Sequence, residues 1–301
     1  MRPSRALARL ELVGSALAFA LMAVLGRYLS RGEGDFTPGH LSVIRFATGA
    51  AVSLLAFRLR PGLYRPRNLR LLVSRGLSGG VVVVLYFLAL SRIPAGEAGM
   101  IYNLFPVIAT VMAMAAFGER PTAHLLLGLA LATGGVLLVL GKGSLSVGVG
   151  TGAAAAFGAA VFAAVSANII RGMRGTDNAP TIFFFFCLAG LPVVAPFALD
   201  PWPSSPSLWA VALAMGGASF IAQVLMTEAY GALSVPEAAA WLQLTPIVQV
   251  LLASLLLGEV LPPVALGGIL LGVAGVAYGT AFGRRKEPGG KEGATPEDPP
   301  P

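Results

Sequence analysis

Apolar residues run along this chain in blocks of about 20, the length that crosses a bilayer as a helix, with short polar punctuation between them. The blocks fall near 11–29, 40–57, 71–90, 95–117, 124–141, 147–170, 180–199, 208–229, 236–257 and 264–282. The pattern predicts an all-α integral membrane protein of ten transmembrane helices. Arg2, Arg5 and Arg9 precede the first block, as in a signal peptide. Glu11 interrupts its start, however, and no small-x-small cleavage site is evident, so it reads as a retained first helix.

The blocks repeat. Residues 85–143 return as 225–283, with Ala89/Ala229, Glu97/Glu237, Leu104/Leu244, Pro106/Pro246, Gly118/Gly258, Glu119/Glu259, Gly128/Gly268 and Gly135/Gly275 in register. A unit of five spans has odd parity, so the second copy enters the bilayer upside down. The expected organisation is a first five-helix repeat over 1–143 and an inverted second over 144–283. The two surround a central cavity, about a pseudo-two-fold axis in the membrane plane. Exchanging the conformations of such halves turns an inward opening into an outward one. Residues 284–301, rich in Pro, Gly, Glu and Lys, predict a disordered tail.

Composition narrows the class. The chain has 301 residues, 56% hydrophobic and 12% charged, too little polar surface to coat a soluble globule of that size. Its net charge of +7 is unevenly placed. With a cytoplasmic N-terminus, the outer connections hold only Arg27, Arg31, Arg92 and Lys142, while the other loops and the tail carry most of the base. This asymmetry predicts that both termini are cytoplasmic in the plasma (inner) membrane. It also makes nucleic acid an unsuitable partner, since these charges sit in short loops rather than on one basic face. Cys187 is the single cysteine, which excludes an intramolecular disulfide and leaves no metal cluster. His40 and His124 stand at helix ends as interfacial residues, and no metal or cofactor is expected.

Chemistry-bearing residues concentrate in a few spans. Pro106 and Pro246 sit halfway along the fourth and ninth, at equivalent positions, and are read as hinges of a moving helix, a static kink being the alternative. Near them lie Tyr102, Asn103 and Thr110 on one helix and Trp241, Gln243, Thr245 and Gln249 on the other. Asn103, Gln243, Tyr102 and Trp241, with Tyr86 on the third span and Gln223 on the eighth, are the candidate solute contacts. Interhelical hydrogen bonding is the alternative for the two repeat-equivalent amides. Arg45, well inside the second span, needs an acidic or carbonyl partner or an anionic group of the solute. Arg75 is expected to snorkel to the cytoplasmic end of the third span, and Phe183–Phe186 to face lipid or pack. Glu97 and Glu237 are read either as first-turn caps, with Ser234 opening a capping box, or as gate or coupling groups. Glu119 and Glu259 are expected to be turn determinants. Glu228, whose counterpart is Leu88, is the single candidate for proton coupling. Glycines at 128, 134 and 135 and at 268, 272, 275 and 279 predict close packing of the fifth and tenth helices.

The phrase Ala98–Leu104–Pro106–Gly118–Glu119, repeated in the second half, resembles the EamA-type members of the drug/metabolite transporter superfamily. So do Ile44-Arg45-Phe46 and the stretch from Arg75-Gly76 through Tyr86-Phe87 to Pro94-Ala95. The resemblance implies ten helices, cytoplasmic termini, a cavity lined from both repeats and transport of small organic solutes. It also implies aromatic cavity walls on the third and fourth helices of aromatic amino-acid exporters, where Tyr86 and Tyr102 stand. The functional expectation is a secondary transporter moving a small organic metabolite across the plasma membrane by alternating access, foremost an exporter of amino acids or related metabolites. An uptake carrier for a cofactor-like or purine-like solute and a lipid-headgroup flippase are the alternatives. No paired mid-depth carboxylates, metal spacing or activated nucleophile suggest an enzyme. Expected partners are the small-molecule substrate, the lipid bilayer and, if transport is proton-driven, protons. The chain is expected to be a monomer or weak homodimer.

Overall fold

The structure, a computed structural model, describes residues 4–30, 36–90, 92, 99, 101–141, 150–258 and 263–282. Every regular element among the described residues is helical: α1 (Arg5–Leu29), α2 (Pro38–Leu59), α3 (Leu69–Leu90), α4 (Phe105–Phe117), α5 (Ala123–Gly141), α6 (Thr151–Met173), α7 (Ala179–Val194), α8 (Pro206–Ala229), α9 (Val235–Leu242), α10 (Leu244–Leu257) and α11 (Pro263–Phe282), with short 3-10 turns at Pro61–Leu63 and Ala195–Phe197. Counting α9 and α10 as one crossing, nine stretches among the described residues are long and apolar enough to span a bilayer, and α4 is shorter. Glu97, Glu259 and the tail 284–301 lie outside the described residues.

Local chemistry sets the helix ends. Ser4 caps α1 by accepting the Leu7 N–H, and Thr37 forms a reciprocal capping box with His40 at the start of α2. Asn178 caps α7 and Ser234 caps α9, each accepting the N–H three residues on. Thr37 and Asn178 are counterparts in the two repeats. Gly118 and Gly258 end α4 and α10 in the left-handed region, at φ 62° and 68°, where a side chain would be strained.

The two proline helices are interrupted rather than merely bent. Helix covers Ile101 and Tyr102, gives way to a turn at Asn103 and Leu104, and restarts as α4; in the second copy the break falls at Gln243, between α9 and α10. Pro106 and Pro246 offer no N–H to the carbonyls of Tyr102 and Leu242, four residues back, and the ring crowds those same carbonyls. The chain responds with tighter i→i−3 bonds, Leu104 to Ile101 at 3.1 Å and Gln243 to Ala240 at 3.3 Å. One cause at equivalent positions thus produces one defect in each half.

The inverted relation of the halves can be read from contacts that occur twice with partners exchanged. Gly14 meets Leu225, and Gly158 meets Leu85; Gly76 meets Ala189, and Gly216 meets Thr48; Gly49 meets Cys187, and Gly190 meets Phe46. Each pair becomes the other when the copies trade places. The same holds between α5 and α11, where a side-chain carbon on Gly135 would overlap the Gly272 backbone, and one on Gly275 would overlap Ala132. Gly128 against Gly279 answers Gly268 against Val139. The expected close packing of these helices is present, carried by Gly128 and Gly135. Gly134 has only a Leu271 methyl, at 4.0 Å, in its neighbourhood.

One face of the bundle, where α1 begins and α4, α6 and α8 end, is laced by charge. Glu237 receives Arg9, whose Nε lies 3.0 Å from Oε1, and Arg5 at 3.3 Å. Glu119 binds Arg171 at 3.3 Å with one oxygen and accepts the Val235 N–H at 3.0 Å with the other. Arg171 also donates to the Tyr230 carbonyl at 3.1 Å, and Arg174 holds Glu228 at 2.6 Å. Asp177 accepts the Arg67 N–H at 2.7 Å. The Glu237, Glu119 and Asp177 contacts each join one repeat to the other, and the ion pairs of Glu237, Glu119 and Glu228 all lie on this face.

Two stability measurements test this architecture. Gly135→Val should lower stability in detergent by about 2 kcal/mol or more through backbone overlap, whereas Gly267→Ala, which meets open space, should be neutral in the same thermal-unfolding assay. Glu119→Gln should cost about 2 kcal/mol because it removes a charged partner from Arg171. Arg5→Ala, whose side chain is 61% exposed, should cost less than about 1 kcal/mol.

Candidate functional site

Two arginines enter the interior from opposite ends. Arg45 stands seven residues inside the start of α2, about 10 Å along the helix, and Arg75 a similar distance inside the opposite end of the bundle on α3. Their side chains converge on one aromatic ring of α7. The guanidinium carbon of Arg75 lies 4.2 Å from the Phe186 centroid and that of Arg45 lies 5.9 Å from it. The two charges are therefore no farther apart than the sum of those distances. Gly79 makes room for the arrangement, since a side-chain carbon there would meet the Phe186 ring and, at 2.7 Å, an Arg75 nitrogen.

Position on the axis follows from the repeat. Phe46 and Cys187 are counterparts, as are Gly49 and Gly190, so Arg45 and Phe186 are counterparts as well. A contact between two equivalent positions must straddle the symmetry axis. One copy supplies the cation and the other supplies the ring face that carries it, a cation–π contact worth about 2 kcal/mol when desolvated.

That contact does not satisfy the donors. Arg75 is 5% exposed and gives one hydrogen bond, to Gln223 Oε1 on α8 at 3.4 Å, and its Nε is buried without a partner. The Nε of Arg45 is likewise buried and unpartnered. Among the described residues neither has a carboxylate, since Glu119, Glu228 and Glu237 are all engaged on the laced face. A buried orphan donor costs about 1–3 kcal/mol, and a mid-bilayer arginine about 2.5–3.5 kcal/mol on insertion scales. Such a pair is tolerable where an anion fills the gap.

Aromatic residues stand beside the cations. Tyr102, at the interrupted fourth span, is within electrostatic reach of both arginines. Its ring lies 5.0 Å from Tyr86 of α3 and 5.5 Å from Phe105. Arg45, Gln223, Tyr86 and Tyr102 thus assemble from three separate helices and the break, as a polar and aromatic interior. The arrangement presents N–H donors and ring faces, chemistry complementary to an anionic group with an apolar body. No group of three or more His, Cys, Asp or Glu suited to a metal ion occurs among the described residues.

The remaining predicted residues lie elsewhere or serve the scaffold. Asn103 donates to the Gly99 carbonyl at 2.9 Å, across its own helix break. Gln243 is buried and donates to Thr133 of α5 at 2.8 Å, leaving its Oε1 without a partner. Trp241 packs beside the main apolar core, its Nε1 also unpartnered. Glu228 is tied to Arg174 and Glu237 to Arg5 and Arg9. Only half of the capping box at Ser234 forms: its hydroxyl accepts the Glu237 N–H, and the glutamate side chain turns to the arginines.

The structure corrects one expectation, decides a second and extends a third. Arg75 does not snorkel to the helix end; it folds inward because Phe186 and Gln223 offer a ring face and an acceptor at depth. Of the two outlets expected for Phe183–Phe186, packing is the one realised, for all four are buried in the core, and Phe186 is also the floor under both arginines. Glu119 is more than a turn determinant, as its two oxygens join Arg171 to the start of α9. Arg75 and Phe186 are the candidate site residues that the pattern alone misses, and the run Arg75–Gly80, with glycines one, four and five residues beyond the arginine, is the available signal of close approach.

Comparison with known proteins places this geometry. The EamA-like transporter family matches twice, at residues 8–141 and 150–279, once for each repeat. The pseudopaline exporter of Pseudomonas aeruginosa is 25% identical, with 73% of this chain and 80% of that protein covered. A probable terminal-alkyne amino-acid exporter of Streptantibioticus cattleyicolor is 29% identical, covering 95% of this chain and 98% of the relative. A solved crystal structure superposes with a TM-score of 0.80 at 22% identity, over 93% of this chain and 98% of its own, a likeness of fold. With both repeats matched over most of their length, the chain belongs to the EamA-like transporter family.

Proposed function

We propose that this protein is a secondary transporter that exports a small, amino-acid-like organic metabolite from the cytoplasm by alternating access. The observation that carries the reading is the pair of uncompensated arginines on the axis between the two inverted copies. A solute bound there contacts both halves at once, so its position stays fixed while the halves exchange conformations around it. The names of the two exporter relatives support the direction of flow and the amino-acid-like class.

In this reading the laced face is cytoplasmic, following the positive-inside distribution, and the structure is closed on that side. Opening toward the cytoplasm separates Glu237 from Arg9 and Glu119 from Arg171, frees the interior and admits the solute. The helix breaks at Asn103–Leu104 and at Gln243 let the ends of the fourth and ninth crossings turn while their proline-led halves stay packed. Glu228, held by Arg174, acts in the closure.

The test is twofold. Cells producing the protein should release at least one small amino-acid-like metabolite that control cells retain, and purified protein in liposomes should catalyse counterflow of the same compound. Arg45→Gln should cut counterflow at least tenfold, because a charged hydrogen bond is worth about 1.5–3 kcal/mol, while leaving protein yield unchanged. The reading falls if no solute changes its distribution and none undergoes counterflow.

A further inference from the structure

Resting on that reading of the site, we propose that the solute must carry a carboxylate, which completes Arg45 and Arg75, and that its amino group is dispensable. The argument starts from charge. Two guanidinium groups share the Phe186 ring at 4.2 and 5.9 Å with no carboxylate near them among the described residues, and each has a buried Nε without a partner. Like charges so placed repel, and more strongly in a low-dielectric interior than in water. An anion between them reverses the sign of that energy.

Geometry favours a planar oxyanion. The Phe186 ring covers the guanidinium groups and leaves their N–H edges as a fork that fits a carboxylate. Gln223 already accepts from Arg75 through its oxygen, which leaves its amide N–H groups to donate. The groups around the arginines are thus almost all donors or ring faces.

What the described residues of the site lack for an ammonium is as telling. The described glutamates Glu119, Glu228 and Glu237 are bound to arginines at the laced face, and Glu11 stands on α1 near Glu228 and Arg174. Asp177 is occupied by the Arg67 amide at that same face. An amine at the axis meets two cations and tyrosine rings. It gains little, so replacing or removing it should be tolerated. The apolar remainder of the solute has Tyr86, Tyr102 and Phe105 as a wall.

The experiment measures thermal stabilisation of the purified full-length protein by four compounds sharing one apolar body: leucine, 4-methylpentanoate without the amine, and leucinamide and isoamylamine without the carboxylate. Leucine and 4-methylpentanoate should raise the melting temperature, and the two lacking a carboxylate should not. Arg45→Gln and Arg75→Gln should each weaken the acid effect at least tenfold. Without ligand, Arg75→Gln should be at least as stable as the parent, because it removes a buried unpaired cation; an Arg75 of purely structural role would give a less stable variant. Arg75→Lys keeps the charge and should retain part of the effect, which guards against a misfolded Gln variant. Equal stabilisation by leucinamide, no stabilisation by either acid, or a full effect in both Gln variants overturns the proposal. Failure of the transport reading is separate: acids that stabilise a protein without counterflow leave the anion site standing, and counterflow of a compound with no carboxylate leaves transport standing and removes the carboxylate requirement.

Discussion

The contact on which the architecture turns is backbone against backbone. Where α5 meets α11, glycines at 128, 135, 268, 272, 275 and 279 remove the side chains that would hold two helices apart. In a bilayer, lipid tails solvate leucine as well as another helix does, so association draws on van der Waals contact and interhelical hydrogen bonding instead. Because the contact is made of repeat-equivalent residues, it also fixes the axis. The same axis emerges between Arg45 and Phe186 across α2 and α7, so one line through the bundle joins the tightest packing to the most costly charges.

Symmetry of the scaffold and asymmetry of its decoration have different physical origins. The reciprocal glycine contacts are alike because in each copy the facing backbone leaves no room for a side-chain carbon. The charges at the laced face have no such constraint: Glu228 answers to Leu88 in the other copy. The two faces therefore carry different interactions, ion pairs on one, and on the other a hydrogen bond from His40 to the Asp200 carbonyl at 3.0 Å and stacked Trp202 and Trp209. Salt screens the first kind far more than the second.

Much of the fold was legible because its determinants are periodic. Span lengths, repeat register and helix-ending glycines are all local or self-similar signals, and residues such as Gly118, Pro106 and Gly135 carry them directly. The site was legible in part. Arg45, Tyr86, Tyr102 and Gln223 announce themselves as polar groups in apolar runs. Arg75 was misread because a cation near a helix end has two outlets, and hydropathy along one helix does not say whether Phe186 of another stands within reach. Gln243 shows the converse difficulty: its depth suggested a solute contact, but Thr133, 110 positions earlier, takes its donor. Side-chain facing depends on neighbours that the linear pattern does not contain.

The placement of Arg45 against its own counterpart has an electrical corollary. A point on an in-plane axis sits at mid-thickness whichever way the halves lean, so a charge bound there has crossed about half of the transmembrane field. An elementary charge crossing the whole membrane exchanges about 2.3 kcal/mol per 100 mV. Voltage therefore divides that work evenly between loading on one side and discharge on the other, and favours neither step of the cycle over its mirror image.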